Sequence, residues 1–443
     1  MVGLIMSMIC EHAELWMGLC VDCGMKADEV SDFVRAGFLS SDSAFKVKRA
    51  RVAELEAAEI EQLIKQRKGI MVLDLDHTLI HVSVKLFNDP KYPIVALSKI
   101  IGNKQQVEDD KVYWFTMDSG NGNLSFGGGG VAGASEEEIS GTSLTDIPPT
   151  ESLVFYLKAR PGFRKFLHEA NERFKLFVYT HGTLEYASLV ISALDPLGAL
   201  FGSPPRVIAR ADHGRPEPKS IERMFPTESK LVVVIDDRVD VWMDAEDHLI
   251  KVAPYIFFQD TDRQRLGVEG EFRRFKSTEN VFDDHDMQLS LIAPILSGLV
   301  VRTFAEESAA DLRLHLREMR NDVLKGMKIA TTGIVPMDSE DPWSHPVIAL
   351  IRELGGIDAL EDDIEILIAG NPETRKAKEA EKAGIPIVHP WWLMAAQAIW
   401  DIPDPKLFTH EKVSNVQSFW ELLKSEETES ELAPDDLLDD LLS

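Results

Sequence analysis

A chain of 443 residues, 44% hydrophobic and 27% charged, has room for two to three globular domains. Its 74 acidic against 47 basic residues give a net charge of -27, which disfavours direct nucleic-acid binding and leaves any anionic substrate to a local basic patch. No stretch approaches the roughly 20 apolar residues of a membrane-spanning helix, and the apolar residues 1–9 lack the basic start of a signal peptide, so an intracellular protein with no membrane partner is expected.

All three cysteines fall within the first 23 residues. Cys10-Glu-His12 precedes Cys20-Val-Asp-Cys23-Gly24, and two thiolates of a tight C-x₂-C turn can meet one metal. Cys10, His12, Cys20 and Cys23 therefore read either as a small structural zinc knuckle or as reduced thiols that bind nothing. Residues 25–68 read as helical and charged, most clearly over 53–64.

Ile70-Met-Val-Leu leads into Asp74-Leu-Asp76-His-Thr78. The apolar run reads as a fully buried strand of a parallel sheet, and ligands bind beyond the carboxyl ends of such strands. Two carboxylates there are costly without a cation, and Mg²⁺ favours a few carboxylates plus a substrate phosphate. Residues 119–150 are rich in Gly and Ser, as in a flexible insertion. Further buried strands are expected at 153–157, at 176–179 ending in Thr180, and at 231–235 ending in Asp236-Asp237, with helices near 162–174 and 184–193. Strands alternating with helices argue for a doubly wound parallel sheet.

Asp74 is the candidate nucleophile, ionised at neutral pH without help. Asp76 is placed to protonate the leaving alkoxide and then to activate water. Thr180 and Lys219 are candidates to hold phosphate oxygens, with Thr78 nearby. Asp237, with Asp236 beside it, would complete a metal site with Asp74 and Asp76. A basic stretch of Arg206, Arg210, Arg215, Lys219 and Arg223 leads to this site and suits a phosphopeptide. Arg160 is either a phosphate-proximal cation or a helix-start residue that pairs structurally.

Residues 286–325 read as helical, and a second α/β unit follows over about 322–408. Its strands are expected at 327–332 and 364–368, its helix at 346–354, with Trp392 in the core. The tail holds nine carboxylates against Lys424 between Glu421 and Ser443, with Leu437, Leu438, Leu441 and Leu442 on one helical face, as in a helix that folds into a partner's basic groove.

Asp74-Leu-Asp76-His-Thr78, Lys158-Ala-Arg160-Pro-Gly162, Val178-Tyr-Thr180-His-Gly-Thr183 and Ile235-Asp-Asp237-Arg-Val-Asp240-Val-Trp242 resemble the motifs of the haloacid dehalogenase superfamily, and within it the TFIIF-associating carboxy-terminal-domain phosphatases of RNA polymerase II. Thr331-Thr332-Gly333, Gly355-Gly356, Thr374-x-Lys376 and Val388-His-Pro-x-Trp392 resemble a BRCT domain, in which Thr332, Gly333 and Lys376 match the phosphate-holding positions. The resemblance implies a Mg²⁺-dependent serine phosphatase acting on the phosphorylated carboxy-terminal domain in the nucleus, with TFIIF as a partner of the acidic tail. A phosphopeptide-binding scaffold, or a phosphatase for another substrate, is the alternative. The expected organisation is a knuckle and helical segment at 1–66, the phosphatase domain at 67–260 with an insertion at about 85–150, a helical connector at 261–321, a BRCT domain at 322–408 and an acidic tail at 409–443.

Overall fold

The computed structural model describes residues 10–26, 32–40, 42, 44–84, 91–117, 154–210, 217–258, 285–305, 310–335, 341, 345–359, 363–416 and 418–427. Five parallel strands form the central sheet in the order Val207–Arg210, Phe174–Thr183, Gly69–Leu73, Val232–Asp236 and Leu249–Lys251. The middle strand is buried along its whole length, as an unbroken apolar run allows. Each such side chain contributes about 1.5–3 kcal/mol. Leu73 lies opposite Val178 on one side and Ile235 on the other, so three strands end at nearly the same level. That register brings Asp74, Thr180 and Asp236 to one edge of the sheet.

The helices follow their apolar spacing. Phe163–Arg173 buries Phe163, Phe166, Leu167 and Ala170, and starts after Gly162, whose φ of 75° suits only a residue without Cβ. Leu184–Leu194 is capped by Thr183, whose hydroxyl accepts the Tyr186 N–H. Gln288–Thr303 and Leu312–Asp322 bury Leu289, Ile292, Leu312 and Leu316 in the same core. The expected connector is therefore, in its described part, a wall of the central sheet's core.

The N-terminal expectation of continuous helix fails. Glu14–Trp16, Leu19–Cys20, Phe33–Val34 and Phe45–Lys48 form an antiparallel four-stranded sheet, and the helix begins only at Arg49. Phe45-Lys-Val-Lys48 alternates with period two, which favours a strand. Part of the expected insertion is also ordered. Ile94–Ala96 and Val112–Thr116 join Ile80–Ser83 and Val154–Ala159 in a second four-stranded sheet, with Trp114, Tyr156, Tyr255 and Phe257 in its core. The Gly/Ser-rich residues 119–150 lie outside the described residues, as do 428–443 with their leucine pattern.

In the second unit, Ile357–Asp358, Lys328–Thr332, Ile366–Ala369 and Ile387–Val388 form a parallel sheet in that order. Trp392 is fully buried, as expected, and donates its Nε1–H to Pro403 O at 2.8 Å. Phe419, Trp420, Leu422 and Leu423 belong to this core too, so the unit continues past 408 into the segment expected to be tail. Gln288 ties the two units together. Its Oε1 accepts the Ala253 N–H at 2.8 Å while its Nε2 donates to Ala398 O at 2.7 Å. No helix among the described residues is long and apolar enough to cross a membrane.

Candidate active site

Asp74 follows the middle strand, and its backbone N–H donates to Ile235 O at 3.0 Å. The chain then turns back tightly: Leu79 and Ile80 N–H both donate to Leu75 O, and His77 takes a φ of 62°. Both Asp74 and Asp76 stay at the strand's mouth as a result. Lys219 enters from the loop before the Val232–Asp236 strand. Its backbone is clamped by Val241 O and the Met243 N–H. Its buried ammonium donates to Asp74 Oδ1 and to Asp236 Oδ2, each at 2.6 Å, with the Trp242 ring 5.4 Å away. The two carboxylates drive the Lys219 ammonium's pKa above its usual value in spite of burial.

The carboxylates of Asp74, Asp236 and Asp237 approach within 4.8 Å of one another. Burial pushes the Asp74 carboxyl well above the usual range, with Lys219 pulling the other way and neighbouring carboxylates adding to the rise. Burial and then the Asp236 charge push Asp237 up to about 7. Lys219 bonds two of these three clustered carboxylates, so the donor set fits a hard divalent cation such as Mg²⁺. Asp236 already serves other donors: Oδ2 takes Lys219 and the Trp242 Nε1–H at 2.9 Å, and Oδ1 takes the Arg238 N–H at 2.8 Å. The oxygens best placed to carry a cation are those of Asp74 and Asp237. The Asp76 side chain stands outside this group. Its Oδ1 accepts the Tyr186 hydroxyl at 2.5 Å instead.

Thr180 is buried, and its Oγ1 accepts the Gly182 N–H at 3.0 Å. A Cβ on Gly182 would come within 2.5 Å of the Tyr186 ring, so glycine is what lets Tyr186 reach Asp76. Thr78 Oγ1 is buried with no hydrogen-bond partner among the described residues.

Arg160 has the structural partners of the second alternative. It is fully buried: Nε and Nη2 grip both Asp286 oxygens at 2.8 Å, Nη2 also donates to Ala253 O, and Nη1 donates to Thr78 O. It pins the Asp74–Thr78 turn to the chain that leads into the Gln288–Thr303 helix. The basic stretch is also largely structural. Arg206 donates to Leu176 O and Leu200 O, and Arg223 pairs with Glu217 at 2.8 Å. Arg215 lies outside the described residues. Arg210 differs: it ends the edge strand opposite Thr183, and its buried Nε has no partner among the described residues.

Residues 133–282 match the family model for NLI interacting factor-like phosphatases, and 319–396 match the BRCA1 C Terminus (BRCT) domain. The chain thus carries one segment similar to NLI interacting factor-like phosphatases and another similar to BRCT domains. It is 28% identical to RNA polymerase II C-terminal domain phosphatase-like 4 of Arabidopsis thaliana, over 88% of this chain and 80% of the relative. It is 32% identical to the RNA polymerase II C-terminal domain phosphatase of Saccharomyces cerevisiae and 31% to that of Schizosaccharomyces pombe, each over 56% of this chain. The chain spans 31% and 30% of those two relatives' lengths. The solved structure of Fcp1, described as an essential RNA polymerase II CTD phosphatase, superimposes with a TM-score of 0.57 at 24% identity, over 80% of this chain and 99% of that one, which is a likeness of fold.

Within the BRCT domain, Thr332 ends its strand and Gly333 follows with a φ of 64°. Thr332 Oγ1 lies 3.0 Å from Thr374 Oγ1, and Thr374 caps the Arg375–Ala383 helix, in whose first turn Lys376 sits. The three residues expected to hold phosphate thus gather at one strand end and one helix start. In the phosphatase-like segment, the sequence assigns a role to neither Tyr186, which follows the Val178–Thr183 motif, nor Asp286. Each gains its role from contacts across more than a hundred positions.

Proposed function

We propose that this phosphatase hydrolyses phosphoserine in the carboxy-terminal heptad repeats of RNA polymerase II, in the nucleus. The observation that carries the chemistry is Lys219 held between Asp74 and Asp236 beside Asp237. The choice of substrate draws on the named relatives and on the attached BRCT domain, which would keep a multiply phosphorylated tail at high effective concentration.

Asp74 attacks phosphorus through the oxygen not bonded to Lys219, forming an aspartyl phosphate as the serine oxygen leaves. Asp76, oriented by Tyr186, gives its proton to that oxygen. It then takes a proton from water, whose attack on phosphorus releases phosphate and restores Asp74. Lys219 and the Thr180 hydroxyl stabilise the equatorial oxygens. Asp74 and Asp237 would hold Mg²⁺, which would supply the positive charge that lets a carboxylate meet a phosphate dianion. The Arg210 guanidinium, at the rim, suits a second phosphate or an acidic flank of the peptide. Contact of the acidic tail with TFIIF belongs to the same reading.

Heptad peptides carrying one phosphate at each serine in turn test this. Mg²⁺-dependent phosphate release, lost in Asp74→Asn and faster than for a panel of metabolite phosphates, is expected. Turnover of the metabolites alone would overturn the substrate assignment, and absence of turnover in folded protein would overturn the chemistry.

A further inference from the structure

We propose that Cys10, His12, Cys20 and Cys23 hold one zinc ion in a closed structural site, outside the catalytic machinery. The three cysteines are free thiols. Cys10 Sγ lies 3.6 Å from Cys20 Sγ, far beyond the S–S bond of about 2.05 Å, so no disulfide joins them. Cys23 Sγ lies 3.3 Å from His12 Nδ1, and one ligand atom from each of the four residues falls within 4.8 Å of all the others. A tetrahedral zinc ion with bonds of about 2.3 Å to sulfur and about 2.0–2.1 Å to nitrogen sets its donors about 3.8 Å apart for S–S and about 3.5 Å for S–N. The observed separations are close to those edges.

The backbone supports the same assignment. The Cys20 N–H donates to Met25 O at 2.8 Å, which fixes the C-x₂-C turn around the sulfurs. Gly24, with a φ of 71°, closes the turn by donating to Cys20 O at 2.9 Å. Three thiolates and one imidazole select zinc over magnesium. Four protein donors leave no open position for a substrate, so the role is to fold the segment.

That segment needs a staple. Its strands are two to four residues long, and its buried residues fall in two small clusters, Leu15, Cys20 and Phe33 in one and Ala36, Val47 and Val52 in the other. The same small sheet leads into residues 36–38, which dock on the loop that carries Lys219: the Gly37 N–H donates to Arg223 O at 3.0 Å, and Phe38 stacks on Phe225 at 5.4 Å. A Cβ on Gly37 would come within 2.3 Å of Ile208, so this approach is as close as backbone permits.

Elemental analysis of the purified full chain, stored in excess Mg²⁺, should find about one zinc per chain, released stoichiometrically when a mercurial modifies the thiols. The cobalt-exchanged protein should show the thiolate charge-transfer and intense visible bands of tetrahedral Co²⁺. Cys23→Ser and His12→Ala should lose the metal, while Asp74→Asn keeps it. The wild-type protein decides the matter even where those variants fail to fold. Thiols that react equally fast with and without a chelator, in protein containing no zinc and giving no tetrahedral cobalt spectrum, would overturn the proposal. So would zinc that survives the combined loss of Cys20 and Cys23.

Discussion

Tyr186 and Asp76 are 110 positions apart in sequence, yet the phenol donates to the carboxylate at 2.5 Å. Burial and then the Asp76 charge hold the Tyr186 hydroxyl well above its usual pKa, so it stays a donor. In the proposed mechanism Asp76 is the acid for the leaving oxygen, and the phenol holds its carboxylate in one orientation. Tyr186→Phe should therefore slow kcat by about tenfold to a hundredfold, the worth of a hydrogen bond to a charged group, with KM little changed. The loss should be larger for phosphoserine peptides than for an aryl phosphate, whose leaving group needs less protonation. Equal losses on both substrates would count against acid positioning.

Lys219 neutralises two buried carboxylates at once. Lys219→Met is nearly isosteric and removes only the charge. Breaking a buried pair from one side costs about 3–5 kcal/mol, and here it should also abolish Mg²⁺-dependent turnover. In the variant, Asp74 stays buried but loses the Lys219 charge that pulls its pKa down, so its already raised folded-state pKa rises further. A raised acid makes stability fall as pH rises, and denaturant midpoints should thus show a deeper deficit at pH 8 than at pH 5. A deficit independent of pH contradicts this account.

Arg160 separates structure from substrate binding. Its guanidinium is fully buried on Asp286 and two carbonyls. Arg160→Met should lower the unfolding midpoint by an amount equivalent to about 3–5 kcal/mol, and Asp286→Asn should act in the same direction. At temperatures where the variant is folded, KM for a phosphopeptide should hardly move. A variant of normal stability with a raised KM would return Arg160 to the substrate.

The parts legible in the sequence are those encoded locally. Ile70–Leu73 and Val232–Ile235 are unbroken apolar runs, so their strands and the carboxylates at their ends can be placed from the residues alone. The parts that are not legible depend on contacts between distant residues. Nothing near Arg160 announces Asp286, 126 positions away, and so a buried structural cation reads equally well as a phosphate ligand. The N-terminal strands are two to four residues long, so only Phe45–Lys48 shows an alternation, and the charged 49–66 helix beside it masks that signal. Asp76 reads as a metal ligand because it neighbours Asp74 in sequence, whereas the turn at His77 gives it to Tyr186.

His389 makes the BRCT domain sensitive to acid. Its Nδ1 accepts the Trp391 N–H at 3.2 Å at the start of the Trp391–Ile399 helix, which requires the neutral ring. Its ring meets that of His410 edge-on at 5.1 Å, and His410 Nε2 lies 2.8 Å from Ala369 O. Burial, then the charge on His410, depresses His389 to about 4. A histidine depressed in the folded state binds fewer protons there than in the unfolded chain, where its pKa is about 6.5. The unfolded state is thus favoured as pH falls from about 6.5, and the loss is complete once pH passes below about 4. Carboxylates titrate over part of the same window, so the informative quantity is a difference. A His389→Asn variant would keep an acceptor for the Trp391 N–H but would not titrate at this position. The urea midpoint of the wild type, followed by tryptophan fluorescence, should fall relative to that variant between pH 6.5 and 4 and run parallel to it above pH 7. Parallel behaviour across the whole range would show that protonation of His389 is not coupled to unfolding.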